Sequence, residues 1–284
     1  MVALSASFVR GVPEDGAERA AEAPISVEPA GVVNAPGEVV DTDGIRRPVA
    51  ELSGIAWLGE ESYAAVMDGS DRILILDVSP DPHGAPPKVT LKSSRSIDRR
   101  RDWEDLAVFT GPDRRRRWFF VEEDTPAVRE YAEQIGDPPV GDAPRQLREV
   151  GRVSLAEPFR SARANRGPES LALEPDGTCL WMANEEPLER DGPAVAAGIA
   201  GRVRLVGLSI DQSSAIGARS DPVEQRREVV YEVDPPHDHL AIPGGPLYSG
   251  VVALVALGSG RLLVLERSAA AGVPPLENRI YHVC

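Results

Sequence analysis

The sequence predicts an all-β protein, a β-propeller-like array of antiparallel blades, from three observations. The 284 residues include 26 Gly and 26 Pro, so roughly a fifth of the chain favours turns over helices. Hydrophobic residues make up 42% and charged residues 27%, an ordinary balance for a globular chain. A strand-turn-strand block also recurs four times. A β-sandwich is the alternative, because alternating strands alone do not distinguish the two folds.

The four blocks share a short apolar run around an alanine, a polar turn, a second apolar run and an acidic residue. They cover residues 51–68, 102–124, 168–186 and 249–266. The alanines that align them are Ala56, Ala107, Ala172 and Ala253. Turn sequences such as Pro-Asp-Gly at residues 175–177 and Gly-Ser-Gly at 258–260 separate the two apolar runs. Each block therefore predicts a β-hairpin.

The segments between the blocks predict insertions. Successive alanines lie 51, 65 and 81 residues apart, more than the roughly 40 to 50 residues of a simple blade. Residues 125–150 and 211–228 are polar and rich in turn formers, which indicates loops or blade edges. A short helix is predicted in residues 127–134.

The domain organisation follows from these patterns. Residues 1–45 are rich in Ala, Glu, Gly and Pro, so we expect a loosely ordered N-terminal segment with one edge strand around residues 31–40. Residues 46–284 form the predicted propeller domain.

Charge limits the partners that the chain can take. The formal net charge is −14, so the long-range field repels nucleic acid and anionic membranes and attracts cations. The sequence has no uninterrupted apolar run of about 20 residues. The first residues lack the basic start of an export signal, so none is predicted. We therefore expect neither nucleic acid nor membrane as a partner.

Several segments resemble the phytase-like, "esterase-like activity of phytase" family. They read ELSGIAW at residues 51–57, DWEDLA at 102–107, RGPESLA at 166–172, ANEEPL at 183–188 and GSGRLLVLER at 258–267. The likeness runs from about residue 50 to the end, and its most specific part is PESLA combined with NEEPL.

This resemblance implies a propeller that is usually exported in its relatives, and a name taken from similarity to phytases and esterases. Relatives continue with further strands and another Glu-Gly-Leu-like block. We therefore expect this chain to lack its last blade and to be incomplete at the C-terminus.

The recurring acids predict a metal site. In a propeller they point several carboxylates toward one end of the central axis, which suits Ca²⁺ and its six to eight oxygen ligands. The candidate ligands are Glu104, Glu169, Glu185, Glu186 and Glu266, with Asp68, Glu122 and Glu123 behind them. Arg166 and Arg267 are the candidate substrate-binding residues. Alternatively, the acids cap backbone amides or pair with these two arginines.

Two functions fit this pattern. The first is hydrolysis of a phosphoester or carboxylic ester, with a divalent metal that activates water and no covalent protein nucleophile. No G-x-S-x-G motif argues for a catalytic serine. The second is a non-catalytic, calcium-stabilised propeller that binds a small ligand or a protein partner.

Two other residue groups have predicted structural roles. The four tryptophans lie in the strand blocks, so we expect them to pack within blades: Trp57, Trp103, Trp118 and Trp181. The arginine run at residues 114–117 is expected to fill a solvated hairpin turn.

Overall fold

A computed structural model describes most of the chain. The described residues are 3–5, 27, 32–34, 37–40, 44–81, 85–111, 115–133, 146–155, 157–210, 225–237, 247–271 and 275–284. Strands dominate them, with two short 3₁₀ helices at Glu157–Ser161 and Glu189–Asp191 and no α-helix in these ranges. No helix in the described part is long and apolar enough to cross a membrane.

Four short strands precede the repeated blocks. They are β1 (Ala3–Ser5), β2 (Val32–Asn34), β3 (Glu38–Val40) and β4 (Arg46–Pro48). Strands β1 and β2 pair with each other, as do β3 and β4. Two of these strands lie where one edge strand is predicted, within residues 31–40.

The rest of the chain forms four antiparallel blades in sequence order. Blade 1 contains β5 (Leu52–Gly59), β6 (Ser62–Met67), β7 (Ser70–Ser79) and β8 (Lys88–Arg101). Blade 2 contains β9 (Trp103–Thr110), β10 (Arg116–Glu122), β11 (Ala127–Glu133) and β12 (Leu147–Ser154). Blade 3 contains β13 (Pro168–Leu173), β14 (Cys179–Asn184), β15 (Gly201–Ser209) and β16 (Gln225–Val233). Blade 4 contains β17 (Leu247–Gly258), β18 (Arg261–Ala270) and β19 (Leu276–Val283).

The blades pack side by side in the manner of a propeller. The first strand of each blade packs on the first strand of the next, from β5 to β9 to β13 to β17. Blades 1 and 2 are also joined at their outer strands by one parallel pair, Leu147 with Ile97. Their eight strands thus form one sheet that curls until its end strands β5 and β9 meet. This confirms the all-β, propeller-like prediction and the four hairpins.

Apolar clusters fill the spaces between consecutive blades. The cluster between blades 1 and 2 contains an aromatic group in which Trp103, Phe120 and Tyr131 have ring centroids 5.2 to 5.8 Å apart. Further clusters join blade 2 to blade 3 and blade 3 to blade 4. Val39 of β3 packs on blade 1 against Leu74 and Leu76.

Three local predictions are wrong. The helix predicted in residues 127–134 is strand β11, because its backbone pairs with β10 on one side and β12 on the other. The arginine run does not stay in the turn: β10 begins at Arg116, and Arg117 is buried against Glu130 at 2.6 Å. Trp103, Trp118 and Trp181 are buried as predicted, whereas Trp57 is 63% exposed.

Parts of two predicted loops lie outside the described residues. These parts are residues 134–145 and 211–224.

Candidate metal site

Carboxylates from blades 1, 2 and 3 meet at one end of the inner strands. We call them the acidic cluster: Asp68, Asp102, Glu104, Glu123, Glu169 and Glu185. Within it, Asp68, Asp102 and Glu104 each offer a carboxylate oxygen, and these three oxygens lie within 4.8 Å of one another. Glu123, Glu169 and Glu185 lie near enough to interact electrostatically with Glu104.

A repeated backbone contact places an acid at the same end of each of these blades. The residue after the second strand donates its amide to the carbonyl of the residue before the first strand. Asp68 donates to Glu51 at 2.9 Å, Glu123 to Asp102 at 3.3 Å and Glu185 to Gly167 at 2.8 Å. The same closing contact in the three hairpins therefore places the acids at one end of the blades.

Burial and neighbouring carboxylates raise the pKa values of Asp102, Glu104, Glu123, Glu169 and Glu185. Burial is the largest cause in every case, followed for Glu104 and Glu169 by neighbouring carboxylates. The pKa reaches about 7 for Asp102, about 8 for Glu104, about 7 for Glu185 and about 10 for Glu169. Taking these groups out of water disfavours their charged forms, so the site gains from either protons or a cation.

Hydrogen bonds tie the blades together around the acidic cluster. The Glu123 carboxylate of blade 2 accepts the Gly167 amide of blade 3. Buried Asp105 accepts the Leu171 amide at 2.7 Å across the same interface. The Val251 amide of blade 4 donates to the Glu185 carbonyl at 3.0 Å. The positions of the acids are therefore fixed by contacts between blades.

Arg166 lies at the border of the acidic cluster. Its guanidinium is 3.0 Å from the carboxylates of both Glu185 and Glu186, and it stacks 4.6 Å above the ring of Tyr248. Arg267 lies near Glu169, and its positive charge partly offsets the rise in the Glu169 pKa. Both predicted arginines thus lie at the site. Arg166 forms ion pairs with two of the predicted metal ligands, Glu185 and Glu186.

Three predicted acids lie outside the acidic cluster: Glu186, which pairs with Arg166, and Glu266 and Glu122. The Glu266 carboxylate accepts the Tyr231 hydroxyl at 2.6 Å and the Asp234 amide at 3.1 Å, on the side of blade 4 that faces blade 3. In blade 4 the residue in the register position of Asp68 is Ala269, which pairs with Tyr248. The Glu122 carboxylate is 3.1 Å from Arg101 and also pairs with Arg129.

Asp102 is the cluster residue that the sequence reasoning missed. From the DWEDLA segment the sequence predicts only its neighbour Glu104 as a ligand. The signal that identifies Asp102 is its position five residues before the central alanine, opposite Glu123. Spacing to the downstream acid alone does not reveal this pairing.

Blades packed through their inner strands, with an acidic cluster at one end of those strands, define a propeller-like protein with a candidate cation site. The chain belongs to the Phytase-like family, described as "Esterase-like activity of phytase", whose profile matches residues 47–283. No curated protein matches the sequence.

Several solved structures resemble the fold at low identity. A GH43 β-1,3-galactosidase has 8% identity and a TM-score of 0.36, with 78% of this chain covered. The chain spans only 40% of the length of that galactosidase. The periplasmic gluconolactonase PpgL of Pseudomonas aeruginosa has 13% identity and a TM-score of 0.36. The match covers 92% of this chain and 80% of the gluconolactonase chain. A Lactobacillus plantarum protein has 12% identity and a TM-score of 0.33. That match covers 87% of this chain and 76% of the Lactobacillus protein.

Proposed function

We propose that this protein is a divalent-metal-dependent hydrolase of phosphoesters or carboxylic esters. In this proposal Asp68, Asp102 and Glu104 hold a Ca²⁺ ion. The observation that carries it is the convergence of their three oxygens within 4.8 Å, together with the raised pKa values of Asp102 and Glu104.

The donor set fits calcium. Ca²⁺ takes oxygen ligands at about 2.3 to 2.6 Å, so two oxygens on one ion lie at most roughly 5 Å apart. The three carboxylates offer oxygen alone and meet that limit. A bound cation would also offset the repulsion among neighbouring acids, which otherwise favours their protonated forms.

The surrounding residues support chemistry on an ester. A bound divalent ion polarises an ester or phosphoryl oxygen and lowers the pKa of a coordinated water. Glu169, with a pKa of about 10, keeps its proton at neutral pH and is the candidate donor to the leaving oxygen. Glu185, with a pKa of about 7, is the candidate base. Arg267, near Glu169, is the candidate group for an anionic part of the substrate.

A second function is favoured by the position of the acidic cluster between blades. Asp68 belongs to blade 1, Asp102 and Glu104 to blade 2, and Glu123 hydrogen-bonds to blade 3. An ion at this junction would hold blades 1 and 2 together, next to the hydrogen bond that joins blade 2 to blade 3. The alternative is therefore a non-catalytic, calcium-stabilised propeller that binds a small ligand or a protein partner.

Turnover and thermal stability, measured together, separate the two functions. The wild type is assayed on p-nitrophenyl phosphate and p-nitrophenyl acetate, with millimolar Ca²⁺ or with EDTA, beside melts in the same buffers. A hydrolase shows Ca²⁺-dependent turnover that falls at least tenfold in Glu104→Gln and Glu169→Gln. The exposed variant Asp71→Asn is the control and keeps wild-type turnover.

A Ca²⁺-dependent rise in melting temperature without turnover supports the structural role. Neither turnover nor a calcium response overturns both.

A further inference from the structure

The three interfaces between consecutive blades are built in the same way. Each blade presents a forward face, which we define by its central alanine and the apolar residues opposite it on the second strand. Between blades 2 and 3, for example, Ala107, Phe119 and Val121 form this face. The next blade presents a backward face, defined by the residues that flank its own central alanine. In the same interface these are Leu171 and Leu173.

The same register positions meet in the other two interfaces. Between blades 1 and 2, Ala64 and Val66 contact a cluster that contains Leu106 and Val108. Between blades 3 and 4, Trp181 and Ala183 share a cluster with Leu254. A forward face and a backward face are thus two halves of one repeated contact.

The two ends of the array each expose one half of this contact. On the backward face of blade 1, Ile55 and Trp57 flank Ala56 and are 43% and 63% exposed. The Trp57 ring nitrogen donates to the Glu60 carbonyl at 2.8 Å, which holds the ring in place. Val39 covers the neighbouring part of blade 1 by packing on Leu74 and Leu76.

The forward face of blade 4 is exposed in the same manner. Val255 lies two residues after Ala253 and is 52% exposed, and Ile280 is 42% exposed. The strand register puts Val255 opposite Leu263, and Leu265 opposite Ile280. Directly opposed residues share a side of the sheet, so Val255, Leu265 and Ile280 lie on one apolar side together with Leu263, which is itself buried.

We infer that a second copy of this chain covers both ends, with the forward face of blade 4 in one copy packed on the backward face of blade 1 in the other. The internal interfaces each join a forward face to a backward face, and this chain carries one uncovered example of each. The contact is heterologous, and two copies that exchange it in both directions close a ring. That ring has eight blades, about the upper end of the range known for propellers.

The test is the oligomeric state of designed variants. Light scattering after size exclusion at tens of micromolar should give twice the 30.5 kDa chain mass for the wild type. Trp57→Asp and Val255→Asp should each give the single-chain mass. Val230→Asp replaces a valine that is 65% exposed on β16 and is the matched control, which should remain dimeric. Circular dichroism melts verify that each variant is folded.

Mixing the two monomeric variants gives the decisive result. Blade 4 of the Trp57→Asp chain and blade 1 of the Val255→Asp chain are both intact, so the mixture should recover the two-chain mass through one contact. A mixture that stays monomeric overturns the head-to-tail arrangement. A monomeric wild type, or a mass that grows without limit with concentration, overturns the closed pair.

Discussion

Two buried groups of charges in blades 1 to 3 follow opposite designs. Where blade 1 meets blade 2, two arginines and two glutamates alternate in a closed ring, in which each guanidinium contacts both carboxylates at 2.5 to 3.2 Å. The members of this ion ring are Arg101, Glu122, Arg129 and Glu149. The acidic cluster instead gathers six carboxylates, with Arg166 and Arg267 only at its border.

The difference separates a structural role from a binding role. The ion ring is balanced by its own side chains, so it requires no outside ion. The acidic cluster is not balanced, and burial together with the neighbouring carboxylates raises the pKa values of Asp102, Glu104 and Glu169. Excess charge that the protein itself does not neutralise is what a cation site requires.

The largest expected effect comes from breaking the ion ring. Arg129→Met leaves Glu122 and Glu149 each with only one arginine in a largely buried setting, so we expect a loss of about 3 to 5 kcal/mol in unfolding free energy. Urea unfolding measures it. Arg152→Met removes an exposed arginine that pairs across the strands with Arg129 and should change stability by no more than about 0.5 kcal/mol.

Calcium should have no influence on the cost of Arg129→Met. If Ca²⁺ restored the stability of this variant, the ion ring and the acidic cluster would not be independent.

A smaller effect is expected where blade 1 approaches the acidic cluster. A Cβ at Gly54 would lie 2.5 Å from the Asp105 Cα, a backbone atom that cannot move aside. Gly54→Ala should therefore push blade 1 from blade 2, at about 1 to 3 kcal/mol, and weaken calcium binding without removing a carboxylate. Gly37→Ala is the control, because nothing lies within 4 Å of its added Cβ. Unchanged calcium affinity in Gly54→Ala would show that the spacing between these blades does not set the site.

The smallest expected effect is the pH dependence of thermal stability. The pKa values of Asp102, Glu104 and Glu185 are raised to about 7 or 8, so the folded state binds more protons than the unfolded chain. Their contribution to stability is present in full below about pH 4 and is lost as the pH rises toward 7 to 8. In EDTA the melting temperature should fall by several degrees between pH 5 and pH 8.

Calcium should reduce that fall, because it binds the deprotonated carboxylates. Asp102→Asn combined with Glu104→Gln should also flatten the pH dependence in EDTA. A melting temperature that rises from pH 5 to pH 8 in EDTA would contradict the raised pKa values.

The repeated hairpins were predictable from sequence because they depend on local patterns. The central alanines and turn residues mark each one, and three of the predicted metal ligands, Glu104, Glu169 and Glu185, do meet. Strand register was not predictable from spacing. Glu266 has the expected distance from Ala253, but Ala253 pairs with Leu265, so Glu266 lies only one residue past that partner and contacts Tyr231. In the other three hairpins the acid lies four residues past the partner of the central alanine.

The other differences have the same origin in nonlocal contacts. The segment Ala127–Glu133 contains helix-forming residues, but pairing with strands on both sides overrides that preference. Glu122 and Glu123 are adjacent in sequence, and the strand alternation sends one to the ion ring and the other to the acidic cluster.

Calorimetric titration of the wild-type chain with Ca²⁺ at pH 7 tests the central claim most directly. We expect one saturable binding event per chain. We also expect protons to be released, detected as a heat that changes between buffers of different ionisation enthalpy, since the ligands lose protons on binding. Glu104→Gln should weaken binding at least tenfold, and Asp71→Asn should not. No binding heat at millimolar Ca²⁺, or binding that is unaffected by Glu104→Gln, would contradict a cation site in the acidic cluster.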